Sequence, residues 1–418
     1  MVRSRTPFVV VALVAAAASA PAGLGAEPLF TGDGTRLAAP HLAAAGRVAV
    51  AAWGEAEPGA VRAAVRRAGV WGPPTVVAAG RPGVVADVAV DAAGAPLVAV
   101  LGLSAEDAPR LRVYAAGADG TWTASPQLAP AGARFLRDVT LAAGPDGTVA
   151  VAFERYDPPN GRSLVMAAVR TPPGAWTVAR GLHRPRAAYE YGPGPEVAAG
   201  PGGRVLVTWS DRGRELLAAS RGPGGRWTAP RPLAPSGYAS QVGFGPDGTS
   251  LAVWGATGSR GLGQVIRVRE RSPAGRWGPP ATAFIPAGNG GLGPRLAVGP
   301  AGHAAIAALP TDGSILSVHA ATWSPGGALT PFRRLSRPMR MPPLIRPALA
   351  VDEVGNAGVA WASGGRVRLA VHRAAGGWTP TREIGAAFRP PALAAARGRM
   401  LVAWVRNGDE IVVRGVRP

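Results

Sequence analysis

Along most of the chain, short apolar runs of alternating character break at glycine and then resume, the period of two expected of β-strands. One unit recurs, an apolar run, a Gly-centred turn and a second apolar run that closes on a large side chain. It begins as PHLAAAGRVAVAAW (residues 40–53) and returns as DVAVDAAGAPLVAVL (87–101), DVTLAAGPDGTVAVAF (138–153), PEVAAGPGGRVLVTW (195–209), SQVGFGPDGTSLAVW (240–254), PRLAVGPAGHAAIAAL (294–309), PALAVDEVGNAGVAW (347–361) and PALAAARGRMLVAW (391–404). The turn glycines, Gly46, Gly94, Gly147, Gly203, Gly248, Gly302, Gly355 and Gly398, stand 43 to 56 residues apart. Each unit predicts a β-hairpin, and the regular spacing predicts a repeat architecture.

A second signature falls between the hairpins, an apolar strand followed by a Gly turn and Trp71, Trp122, Trp176, Trp227, Trp277 or Trp378, with Leu329 at the sixth of the seven places. Every repeat then holds four short strands in about 50 residues, the anatomy of a β-propeller blade. The expectation is an all-β chain, a single β-propeller of eight four-stranded antiparallel blades, with seven blades and one irregular terminal module as the alternative. The eighth hairpin is followed by a third strand at 410–416 but no fourth, and residues 28–31 resemble the fourth strands of other repeats. The N-terminal strand is therefore expected to pair in the last blade and close the ring, which removes its open edges. Helices have no room: past the N-terminal stretch, no segment free of Gly and Pro exceeds the 11 residues of 133–143 or 314–324.

Eleven of the twelve Trp residues fall on repeat positions, five of them at hairpin ends (Trp53, Trp209, Trp254, Trp361, Trp404), and only Trp323 is irregular. That assigns them to packing and weighs against stacking platforms for neutral sugars or single-stranded nucleic acid. The N-terminus reads as an export signal over residues 1–26, with Arg3 and Arg5 ahead of a 13-residue apolar stretch (8–20) that is too short to span a bilayer. Residues 27–418 would form the propeller, secreted or extracytoplasmic, monomeric, with no membrane span in the mature chain. There is no Cys, so neither a disulfide nor a thiolate metal site exists. The five His residues show no paired spacing, and neither a metal nor a cofactor is expected.

Charge changes the picture further. Basic residues number 45 against 25 acidic ones, a formal +20, and every basic residue is Arg. A genome of high G+C content accounts for Arg in place of Lys, but the summed field attracts polyanions whatever its origin. No basic run of five to eight residues occurs, which turns the expectation away from nucleic acid and towards an acidic polysaccharide, a cell-envelope polymer or a protein partner.

The Gly-turn-Trp signature, seen best in Asp119-Gly120-Thr121-Trp122, resembles a degenerate Asp-box turn of the sialidase-like propellers. The resemblance implies a secreted bacterial propeller fold over residues 27–418. A sialidase also needs an Arg cluster, a Tyr activated by a Glu, and an Asp acid. The sequence offers Tyr189, Glu190 and Tyr191 with Arg184 and Arg186, but adjacency is not the required geometry, and Arg36-Leu37-Ala38-Ala39-Pro40 matches the family's Arg-Ile-Pro motif poorly. No catalytic set is therefore assigned.

The stereotyped Gly turns share one face of the ring, so the variable loops fall on the other, where function concentrates. The two longest, 181–196 and 334–347, carry Arg184, Arg186, Tyr189, Glu190, Tyr191, Arg334, Arg337, Arg340 and Arg346, the candidate ligand-binding residues. Glu154, Asp157, Glu190 and Asp211 are the acids to inspect for chemistry. The function expected is a non-catalytic module that binds an anionic glycan, envelope polymer or protein. The alternative is a sialidase-like or lyase-type carbohydrate-active enzyme.

Overall fold

The computed structural model describes residues 26–418 apart from 33, 35, 57–58, 80–82, 104–107, 131, 158–161, 179–180, 183–193, 212–214, 258–263, 286–289, 341–345, 388 and 397. Residues 1–25, which hold most of the expected export signal, lie outside the described residues. The chain is an eight-bladed β-propeller of antiparallel sheets. The inner strands, blade by blade, are His41–Ala45, Val84–Val90, Phe135–Ala143, Glu196–Ala199, Tyr238–Phe244, Gly290–Val298, Ala348–Val351 and Ala392–Ala396. Each touches its neighbours on both sides, and the eighth returns to the first. Blade 8 takes its outer strand from the other end of the chain: Glu27–Thr31 pairs with Glu410–Val416, with Glu27 opposite Val413 and Thr31 opposite Glu410.

The two middle strands of a blade are covered on both sides, so their alternating side chains serve two interfaces. In Val205–Asp211 the residues Val205, Val207 and Trp209 pack against Ala150, Ala152 and Val169 of blade 3, whereas Leu206 packs with Ala252 and Trp254 of blade 5. Such strands read as continuous apolar runs because neither face meets water. Alanine serves where sheets approach closely: in Ala304–Asp312, Ala304, Ala305, Ala307 and Ala308 are all buried. Trp53, Trp209, Trp254, Trp361 and Trp404 are fully buried at the same point of their blades. The neighbouring connection makes room for them. At Gly237 a Cβ would sit 2.7 Å from Trp254 Cδ1.

At the rim, the last residue of the third strand meets the Trp of the next turn, as where Arg170 lies 5.9 Å from the Trp176 ring and Arg271 lies 5.8 Å from Trp277. Blade 6 transposes the pair. Trp323 stands opposite Ala304, where Arg170 stands opposite Val149 and Arg271 opposite Ser250. Leu329 takes the later position, and both side chains pack against the cluster of Leu251, Val253, Ala304 and Ile306. The irregular Trp is thus the same rim aromatic delivered from the other strand.

In the blade 8 seam, Phe30 lies 5.4 Å from the Trp53 ring, and Leu29 joins a cluster with Leu37, Val405 and Ile411. Deleting residues 26–31 should therefore cost about 2–4 kcal/mol of stability from lost apolar burial alone. Chemical denaturation checks this, and a midpoint equal to that of the intact chain would count against the seam as a clasp.

Candidate functional site

One register position recurs in every inner strand, facing the strand that follows it one residue before the buried position that Trp53 takes in blade 1. His41 pairs with Ala52, Asp87 with Ala99, Thr140 with Ala152 and Glu196 with Thr208. Gln241 pairs with Val253, Arg295 with Ala307, Ala348 with Ala360 and Ala392 with Ala403. Ring symmetry brings these eight residues to one level around the axis. Six are polar and occupy consecutive blades. Ala348 and Ala392 leave the wall short at blades 7 and 8.

The polar members reach from one blade to the next. Asp87 Oδ2 accepts a hydrogen bond from the Leu141 N–H (2.9 Å), and its other oxygen lies 3.9 Å from His41 Nδ1. Thr140 Oγ1 donates to the Pro195 carbonyl (3.2 Å). Gln241 Nε2 donates to Glu196 Oε1 (2.5 Å), and its Oε1 accepts from the Leu296 N–H (3.4 Å). Burial pushes the Glu196 carboxyl up to about 7. Arg295 opposes that shift, Asp87 adds to it, and Gln241 and Arg346 oppose it more weakly. Glu196 therefore gains and loses a proton near neutral pH.

Just before this position the inner strands of four blades bulge. Register slips between Val85 and Asp87, Arg137 and Thr140, Tyr238 and Gln241, and Leu292 and Arg295. Asp138 sits in the blade 3 bulge at φ 51°, a left-handed conformation that Asp tolerates better than most residues. The next blade must offer glycine here, since a Cβ on Gly194 would collide with Asp138 Cβ. Arg137 beside it makes a two-pronged ion pair with Glu154 (2.9 and 2.7 Å) and lies 5.4 Å from the Tyr156 ring. Burial raises the Asp138 pKa and Glu154 adds to the effect, against Arg137 and Arg346. The axis thus presents carboxylates and guanidiniums together, suited to gripping acidic and hydroxyl groups of a ligand. Among the described residues, no group of three or more His, Asp or Glu side chains is placed to hold a metal.

The structure divides the expected ligand-binding set. Arg184, Arg186, Tyr189, Glu190 and Tyr191 lie outside the described residues. Arg346 stands close enough to the axis to act on Glu196 and Asp138. Arg334 belongs to the outer strand of blade 6, opposite His319, and Arg340 pairs with Ile315 on an extension of the same blade. Arg337 is exposed between them. Of the acids, Glu154 is at the axial bulge and Asp211 ends a middle strand of blade 4, opposite Glu215. His41, Asp87, Glu196, Gln241 and Arg295 were not singled out from the sequence, although each begins or nearly begins a repeated hairpin, directly after Pro in Pro40-His41, Pro195-Glu196 and Pro294-Arg295.

No family model and no curated protein sequence matches the chain. Solved structures similar to it include an ulvanlyase, described as a polysaccharide lyase and bound to GlcA(1-4)Rha3S, at 12% identity over 78% of this chain and 90% of that one, TM-score 0.47. They also include a Mycobacterium tuberculosis puromycin-hydrolyzing peptidase at 16% identity, covering 91% and 61% of the two chains, TM-score 0.47. A Hadza microbial sialidase is similar at 12% identity over 85% and 79%, TM-score 0.41. Propellers host many unrelated functions, so the chemistry has to be read from this chain's own residues.

Glu196 makes a testable contribution to stability. In the folded chain its carboxyl stays protonated up to about pH 7, whereas unfolded it ionises near 4.5. The folded state holds the extra proton between those values, so stability falls as pH rises through this window. Glu196→Gln should be nearly neutral at pH 5 and more stable than the parent at pH 8 by on the order of 2–3 kcal/mol. Denaturant melts at the two pH values check it, and a difference that does not change with pH would refute the assignment.

Proposed function

We propose that this chain is an extracytoplasmic, non-catalytic binding propeller that holds an acidic glycan or envelope polymer at the axial mouth. The observation that carries this reading is the asymmetry of the ring. Blades 1 to 6 put polar groups at the axis, blades 7 and 8 put methyl groups there, and Arg295 and Arg346 stand on the polar side near Glu196. A ligand seated over Ala348 and Ala392 would meet guanidiniums on one side and His41 with Asp87 on the other. The acids support holding rather than turnover. Asp87 is engaged by backbone N–H groups, Glu154 by Arg137 and Glu196 by Gln241. The charged end and apolar stretch of residues 1–26 support export.

One observation favours a second reading, a carbohydrate-active enzyme of sialidase-like or lyase type. Glu196 titrates near neutrality, as a general acid or base should.

Binding of acidic and neutral oligosaccharides, measured at two salt concentrations, separates these readings. Acidic chains should bind and weaken with salt, and Arg295→Gln or Arg346→Ser should each reduce affinity about tenfold or more, the worth of one charge-assisted contact. Binding indifferent to salt and to both substitutions would sink the axial site. Shortened products that disappear in Glu196→Gln would select the enzyme.

A further inference from the structure

A cavity of about 630 Å³ opens between blades 6 and 7, away from the axial ring, and Arg333, Arg334, Arg337 and Arg368 line it with no Asp or Glu among the described residues of its wall. Trp361, itself fully buried, and the Thr381 hydroxyl share the wall. The volume suits one or two sugar residues.

Comparison among blades shows what is missing here. In blade 1, Arg62 pairs opposite Trp53 and donates to Glu55 (2.7 Å), two residues beyond that Trp. In blade 5, Arg267 pairs opposite Trp254 and donates to Thr282 Oγ1 (2.6 Å). Arg368 is the equivalent residue of blade 7, opposite Trp361, but the position two beyond that Trp is Ser363, which lines the cavity. The acid that answers this guanidinium in blade 1 is absent. Glu383, opposite Arg368 on the outer strand, pairs with Arg366 (3.3 Å) and does not line the cavity. Among the described residues, the guanidiniums of Arg334, Arg337 and Arg368 form no hydrogen bond or ion pair.

The walls are fixed in place. Thr381 Oγ1 donates to the Leu335 carbonyl (2.6 Å), Arg333 Nη1 to the Trp378 carbonyl (3.2 Å), and the Leu335 N–H to the Val318 carbonyl (2.8 Å). The two blades therefore hold the backbone that carries these arginines at a set separation, which lowers the entropy lost on binding. The local field is positive enough to matter nearby. Burial, reinforced by Arg334, holds His319 down to about 4, so this imidazole stays neutral.

We propose that this cleft is a second ligand site, which takes the oxyanion group of an acidic sugar, a sulfate ester or a carboxylate, between Arg368 of blade 7 and, on the blade 6 side, Arg334 of the outer strand and Arg337 of the connection that follows it. The site stands independently of the axial reading, since the two share no residue.

Calorimetric titration of the intact protein with sodium sulfate, sodium glucuronate and glucose, at constant ionic strength, tests it. Sulfate or glucuronate should saturate a component that glucose does not, and the stronger of the two names the source of the oxyanion. That component should weaken about tenfold or more in Arg368→Ser and in Arg337→Ser, yet persist in the axial variant Arg346→Ser. Arg337 is exposed in a connection, so its variant keeps the test valid should Arg368→Ser fail to fold. Selenate soaked into crystals should give anomalous density between Arg337 and Arg368. Isotherms that match between the parent and both cleft variants, or no saturable anion binding, would overturn the proposal.

Discussion

The middle strands carry apolar side chains on both faces, and a sheet of that kind has no side it can leave in water. Leu206 and Trp209, three residues apart in one strand, belong to different interfaces and are both buried. A single blade would expose one of these faces, so each is stable only between two others, and the row ends only by meeting itself. The seam made by Glu27–Thr31 and Glu410–Val416 completes that circle with backbone hydrogen bonds. Because closure sets the angle between blades, it also sets the distance of every inner strand from the axis. The axial ring is held by the same packing that holds the fold.

Polar side chains then do two things at once near the axis. Asp87, Thr140 and Gln241 each bond to the backbone of the following blade, so they stitch neighbours where the apolar interface thins. The opposite face has a counterpart: Asp146 accepts a hydrogen bond from the Gly203 N–H of the next blade (2.6 Å). Blades 7 and 8 lack such a stitch at the ring position, where alanine stands. A methyl group there contributes nothing to blade contact through hydrogen bonding, and it opens space beside Arg295 and Arg346. The least stitched arc of the ring is the one best shaped to admit a ligand.

How much of this was legible beforehand depended on whether a feature has a period. The hairpins, the Gly turns and the buried Trp positions repeat every 43 to 56 residues, and residue type alone exposes them. The axial ring has a fixed position but no fixed chemistry: His, Asp, Thr, Glu, Gln and Arg in turn share only their register, preceded by Pro in five blades (Pro40, Pro195, Pro294, Pro347, Pro391). The Arg residues of 334–346 looked like one loop. Pairing of Met339–Arg340 with Ile315–Leu316 divides them, and strands of two residues carry no alternation to read. Arg337 therefore meets the cleft and Arg346 the axis.

The surplus of arginine takes its meaning from where acids answer it. Arg62 has Glu55, Arg137 has Glu154, Arg170 has Asp91, Arg366 has Glu383 and Arg406 has Glu410, each pair within or between neighbouring blades. These pairs neutralise the blade interfaces locally, and a uniform compositional bias would leave the remaining charge scattered over the rim. Blade 7 has Ser363 where blade 1 has Glu55, and Arg333 and Arg334 of the blade 6 outer strand and Arg337 beyond it line the same cleft. Like charges held together without an acid raise the energy of the folded chain unless water, salt or a ligand screens them. A cleft lined by four guanidiniums is therefore a place where a bound oxyanion would supply the screening that no acid in the lining gives.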